Sequence, residues 1–340
     1  MATLGQNELT LADMAKRLNP DGMMAKVANL LSQSNPAVAD IPWVASNDKM
    51  SHRSSILIGE PTANLRRLNE GVSSGKSVVS QINDTMSLLE TQSTTDVKLL
   101  QLYGNVAQAR QGEARIHVQS LGKKVEDLLW HGSEASDDRE FNGFQVRYPA
   151  LATGNVLTGL GDGVNLQSSV YLVGWGMDSV FGIYPQNTTA GLQHTDMGEQ
   201  LIQTADDSGV GATAKMRAFV DVFTWDCGLV VKDWRNVVRI ANVESGDLKG
   251  VKEDQQLADY PSALPYLMAE AIHLLPNIDA VRPVFYMPRE VFIGLDRWAM
   301  AATMANIFQT KDVDGRPVTT FRGIPIKISD KLTHTEAVVA

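Results

Sequence analysis

The sequence predicts an α+β fold, and three observations carry that expectation. An apolar stripe between Asn105 and Trp130 repeats at helical spacing over about seven turns. Residues 145–245 are instead rich in β-branched and aromatic runs. Helices and strands then follow one another without the regular strand–helix–strand alternation that builds a parallel sheet.

Composition bounds the class. The chain has 340 residues, 44% hydrophobic and 20% charged, enough apolar content to exclude wholesale disorder and collagen-like chains. Its length suggests roughly two domains. Thirty basic against 39 acidic residues leave a net charge of −9, which argues against non-specific duplex binding through a basic field. Cys227 is the single cysteine, so an intrachain disulfide and a cage of several thiolates are both excluded. The first twenty residues carry Glu8 and Asp13 without a long apolar core, and no window reaches a membrane span's roughly 18 apolar residues. The expectation is a soluble protein made in a reducing compartment.

The elements follow in order. Thr10 caps a short helix carrying Leu11, Met14, Ala15 and Leu18, which Asn19-Pro20-Asp21-Gly22 ends. A second short segment carries Val27, Leu30 and Leu31. Helices this short are marginal alone, so the first 40 residues read as an arm. SHRSSILIGEP and SVVSQI then read as strands around the polar, Gly-rich TANLRRLNEGVSSGK, a long β-hairpin projecting from the body. In the next helix Ala114, Val118, Leu121, Val125 and Leu128 share one face, with Gly132 at the C-terminal stop. Gly112 and Gly122 weaken this spine by roughly 1 kcal/mol each relative to alanine. Strands are expected at SSVYLVGW, Ala218 to Trp225, Leu229 to Val231 and Asn236 to Val243. Ser262 caps a helix with Leu264, Leu267, Met268, Ala271 and Leu274 on one stripe. The strand VRPVFYM follows, then a helix with Val291, Leu295, Trp298, Ala302 and Ala305 on one face. RPVTTFRGIPIKISD closes as a hairpin with Gly323 at or near its turn.

No stretch carries a complete catalytic motif. Gly71-Val-Ser-Ser-Gly75-Lys76-Ser77 imitates a phosphate loop, but only three residues separate the glycines and Glu70 stands where the first glycine belongs. A solvated hairpin tip accounts for it better. GLGDG at 159–163 lacks dinucleotide-fingerprint spacing, and Asp312-Val-Asp314-Gly315 places glycine too early for a calcium loop. Both read as turns. His52, His117, His131, His194, His273 and His334 show no i, i+3 or i, i+4 pairing for a metal face. Asp137-Asp138 and Asp206-Asp207 read as solvated charge, and Cys227 as packed. No cofactor is expected. The hairpin charges Arg53, Arg66, Arg67, Glu70 and Lys76 sit on an element with little core of its own. They are either a solvated face or contacts to another subunit.

In this order, LTLADMAKRLNPDG, IPWVASN, LRRLNEGVSSGKS and GLVVKDWRNVVRIANV resemble the major capsid proteins of tailed double-stranded DNA phages. Their fold is the Hong Kong 97-type fold, and the phrases look like those of the epsilon-fifteen-like short-tailed group. The resemblance implies an N-terminal arm at 1–45, an extended loop at 46–83 and a peripheral domain with the spine helix at 84–149. An axial domain at 150–260 and returning elements at 261–340 complete it. It implies a structural subunit without enzymatic activity, assembling with itself as hexamers and pentamers into an icosahedral shell in the host bacterial cytoplasm. Portal, scaffold and cement or decoration proteins are the further partners implied, with packaged DNA held without sequence-specific binding and no membrane. A tail or decoration protein and a P-loop-like nucleotide-binding protein remain the alternatives.

Overall fold

The computed structural model describes residues 35–103, 106–159, 166–204, 214–244, 264–300, 308–313 and 316–340. The two arm helices expected before residue 35, most of the 159–163 loop, Asp206-Asp207, the Ser262 cap, Ala302 and Ala305, and Asp314-Gly315 lie outside the described residues. The chain divides into two compact units. One contains Leu88–Val125 and Gly191–Asp226, the other Ser34–Ser87, Glu126–Ala190 and Cys227–Ala340.

Six helices are present among the described residues: α1 (Pro36–Asp40), α2 (Val97–Tyr103), α3 (Val106–His131), α4 (Phe144–Arg147), α5 (Leu264–Leu274) and α6 (Arg289–Met300). The strands are β1 (Trp43–Ala45), β2 (Ser51–Gly59), β3 (Val78–Asp96), β4 (Val156–Thr158), β5 (Gln167–Trp175), β6 (Val180–Tyr184) and β7 (Gln193–Thr204). They continue with β8 (Ala214–Val231), β9 (Val237–Glu244), β10 (Arg282–Met287), β11 (Phe308–Val313), β12 (Arg316–Phe321) and β13 (Ile324–Ile328). Along the sheet the order is β11-β12-β13-β10-β5-β6-β8-β3-β2, with β1 added on β6 and β4 paired to β9, which itself pairs with β5.

In the larger unit β5 is the central strand. Every residue from Gln167 to Trp175 is buried, so both faces must be covered, and its sequence alternates to suit two different layers. Val170 and Leu172 pack with α5 and α6 through Leu267, Met268, Ala271, Val291 and Leu295, joined by Phe285 and Phe321. Tyr171 and Trp175 belong to a ring cluster with Trp130, Phe144 and Tyr286, whose ring centroids lie 5.1–6.4 Å apart. The expected strand β10, the α5 stripe, Val291 and Leu295 of the α6 stripe and the buried Cys227 are present, while the side chain of Trp298 lies outside the described residues.

Three details depart from the sequence reading. The two strands expected at Ala218–Trp225 and Leu229–Val231 are one continuous strand, β8. Gly228 is not a turn there: a Cβ would lie 2.7 Å from the Thr85 carbonyl oxygen, so glycine permits backbone to approach backbone. Gly132 does follow α3, but not in the left-handed region of a helix-ending glycine. A Cβ would collide with the carbonyl oxygens of Phe141 and Leu128 at 2.5 and 2.6 Å. The third departure is β7, a 12-residue strand paired antiparallel to β8 in the smaller unit, which the sequence left unassigned.

Candidate assembly surface

The projecting hairpin is built in three tiers. Its root is fixed. β2 and β3 pair from Ser51 with Thr85 outward to Gly59 with Val78. At the base, Arg147 of α4 donates to buried Asp84 at 2.7 Å, to the Leu229 carbonyl at 3.0 Å and to the Asn142 carbonyl at 2.9 Å. His52 stands opposite Asp84, and burial pushes its imidazole below the usual pKa while Asp84 works the other way. Such a half-buried ion pair holds the root where an exposed one would contribute little.

Beyond Gly59 the ladder stops. Residues 60–77 continue as two legs that stay close without strand pairing. Asn64 Nδ2 donates to Ser73 Oγ at 3.1 Å, and a Cβ on Gly75 would lie 3.0 Å from the Pro61 side chain. The tip is a turn. The Glu70 amide donates to the Arg67 carbonyl, the Glu70 carboxylate accepts from the Arg67 amide at 2.9 Å, and Asn69 takes the left-handed φ of 67°. Asparagine tolerates that conformation better than a branched residue.

The five candidate residues therefore separate into two groups. Arg53 is part of the stem: Asn47 brackets its backbone with bonds of 2.7 and 2.8 Å, and its guanidinium lies 3.6 Å from Asp48. Arg66, Arg67, Glu70 and Lys76 occupy the legs and tip, all exposed. Only Arg67 and Glu70 are brought together, through backbone amides. What the sequence reading missed is the apolar share of this surface. Leu65 and Leu68 are 103% and 93% exposed, so both side chains are almost wholly solvated, and Leu57, Ile58, Val72, Val78 and Val79 are also exposed. The signal was present in LRRL, where leucines flank the arginines, but only the charges were weighed.

The same geometry disposes of the phosphate-loop resemblance. Ser77 leads directly into strand β3, whereas a phosphate loop must open a helix whose N-terminal amides face the anion. Among the described residues no three His, Cys, Asp or Glu side chains converge as a metal site.

The smaller unit has a polar centre of its own. Arg110 of α3 donates to both oxygens of Asp221 at 3.1 and 2.7 Å and to Asp196 at 2.6 Å, and it lies 4.9 Å from the Phe219 ring centroid. His194 bonds Asp221 at 2.9 Å, and both His194 and His117 stack on Phe223. The Asp221 hydrogen bond raises the Arg110 pKa further, while burial lowers that of His117. These residues lie on α3, β7 and β8, far apart in sequence, so spacing could not reveal them. The arrangement ties α3 to β7 and β8 as a brace.

A hydrogen-bonded root and a solvated, partly apolar arm suit contact with another chain. Comparison with known families agrees: the family Major capsid protein GP7 matches residues 19–340. The chain belongs to that family of phage major capsid proteins. A chain in the cryo-EM-derived structure of bacteriophage Epsilon15 is similar to this capsid protein at 25% identity and a TM-score of 0.76, covering 100% of this chain and 99% of the other. The bacteriophage JBD30 capsid is similar at 10% identity and a TM-score of 0.49, covering 91% and 94%. The native GTA particle capsid shows 9% identity and a TM-score of 0.45, covering 70% and 99%. Curated proteins give no significant match.

The capsid protein thus has the α+β Hong Kong 97-type fold that its sequence resembled. It is a structural shell subunit, not an enzyme. It associates with copies of itself and is part of the virion.

Proposed function

We propose that the subunit tiles a closed icosahedral shell as hexamers and pentamers around double-stranded DNA, with the 46–83 loop laid on a neighbouring subunit. The observation carrying this reading is the solvation of Leu65 and Leu68 at the tip of an arm whose root is held by a half-buried ion pair. Apolar side chains displayed on a fixed arm favour a partner surface, and Arg66, Arg67 and Lys76 beside them favour an acidic one. In this reading residues 1–45 serve as a second arm, 84–149 as the peripheral domain and 150–260 as the axial domain, with 261–340 completing both. The net charge of −9 suits a wall that must not grip its cargo. Assembly in the host cytoplasm and partnership with portal, scaffold and cement or decoration proteins belong to the same proposal.

Electron microscopy of the size-fractionated protein, expressed with its neighbouring phage genes, tests it. Wild-type chains are expected to give closed polyhedral shells. R66E/R67E and L65S/L68S are expected to keep the wild-type circular dichroism while particle yield drops on the order of tenfold or more, as for loss of a contact of about 2 kcal/mol. Normal shells from both variants would remove the hairpin from assembly. Tubes or rings from the wild type would move the function to a tail component.

A further inference from the structure

Glu126 stands near the C-terminal end of α3 and is fully buried, 0% exposed. Its Oε1 accepts hydrogen bonds from the Ser329 hydroxyl and from Trp130 Nε1, and Trp130 Nε1 also donates to Ser329 Oγ at 3.1 Å. Its Oε2 has no hydrogen-bond partner among the described residues. A buried carboxylate needs a cation or a full set of donors to remain ionised; among the described residues this one has two donors on Oε1, none on Oε2 and no cation at contact distance.

The neighbouring charges are engaged with one another. On the segment after β13, Asp330 pairs with Arg289 of α6 at 2.8 Å and Lys331 lies 3.7 Å from Asp127 on Glu126's own helix. His131, on the same helix, bonds the Lys331 carbonyl at 3.1 Å. From β10, Tyr286 is committed to Asp40 and Trp175. Burial raises the Glu126 pKa to about 7, with a smaller push from Asp330, and outweighs the Ser329 and Trp130 hydrogen bonds and Lys331, which favour the charge.

We propose that Glu126 is a proton-operated catch: with residues 329–332 packed over α3 its buried carboxyl is favoured in the neutral form, and ionisation favours opening of that stretch, which lets water reach the carboxylate. The released stretch is bounded on both sides. Before it, β13 is paired with β10 through Ile328. Beyond it, Glu336 is clamped by buried Arg239 at 2.9 Å and by Ser169 Oγ at 2.6 Å.

The direction follows from linkage. The folded carboxyl binds its proton more tightly than an open, solvated one, so closure is favoured below the ordinary value of 4.5 and loses that advantage as pH rises towards about 7. Hydrogen–deuterium exchange of the full wild-type chain at about pH 5.5 and about pH 8.5, corrected for intrinsic rates, reads the opening directly. These two pKa values give an opening constant for residues 329–332 about 30-fold larger at the higher pH, with β5 unchanged. Glu126→Gln is neutral at both pH values and is expected to abolish the difference. A wild-type change below about threefold overturns the catch, as does a Glu126→Gln chain that keeps the whole wild-type response. The wild-type comparison decides alone should the variant fail to fold.

Discussion

Arg322 and Gly323, the two residues between β12 and β13, have φ of 49° and 86°. Phe321 pairs directly with Ile324, so the connection is a two-residue hairpin whose central positions both need positive φ. Asn-Gly satisfies that demand best. An arginine in the left-handed region carries a cost of roughly 1–2 kcal/mol. Its guanidinium recovers part of this at 5.8 Å from the Phe321 ring, worth about 0.5–1 kcal/mol at an exposed site. The first effect is larger, so Arg322→Asn is expected to stabilise the subunit by about 0.5–1 kcal/mol. Urea denaturation measures it, and an unchanged or lower midpoint would contradict the turn geometry. Gly323 was readable as a turn from sequence because glycine announces itself. Asn242 was not: it bends β9 with a φ of 55° while its side chain bonds both the amide and the carbonyl of Val339. No pattern near residue 242 indicates a partner 97 residues away.

At the scale of elements, α3 shows where periodicity succeeds and where it fails. Leu121, Val125 and Leu128 are buried as their spacing requires, but Val118 is exposed and Ala114 only half-buried. In the N-terminal part of the helix, Arg110 and His117 meet β7 and β8 through ion pairs and ring stacking instead of apolar contact. A hydrophobic stripe cannot trace a face that is held by charge. For the same reason β7 escaped notice, since QHTDMGEQLIQT is solvated on both sides and has no alternation to read. The strands that were legible, β5 and β9, are those whose burial demands Val, Ile, Leu and aromatic residues. Gly112 belongs to the exposed side of this story, with nothing within 4 Å of where a Cβ would stand. Gly112→Ala is expected to add about 0.5–1 kcal/mol of stability through helix propensity, seen as a higher denaturation midpoint at constant slope. A loss of stability would mean that the glycine makes room for something close to the helix.

For the whole molecule, the hairpin proposed as an assembly arm was legible in position and charge and illegible in its apolar content. Which leucines are covered depends on tertiary packing, and LRRL alone does not say whether Leu65 and Leu68 turn inward. The closing of the larger unit was equally hidden. Arg239, on the strand beside β5, is 1% exposed and among the described residues finds its counter-charge at Glu336, with the Tyr148 carbonyl and Ser169 as further acceptors. A buried guanidinium without its carboxylate costs on the order of 3–5 kcal/mol, a large part of a domain's net stability. A chain ending after residue 330 is therefore expected to lose cooperative unfolding and protease resistance in the larger unit. A truncated chain as resistant as the full one would show that Glu336 is dispensable. On the ribosome this pairing sets a clock. Strand β9 emerges long before residue 336, so the subunit cannot finish its sheet until nearly all of this sequence has been translated. Chains that terminate before residue 336 lack this pairing, and are expected to be cleared by proteolysis before they can join other copies.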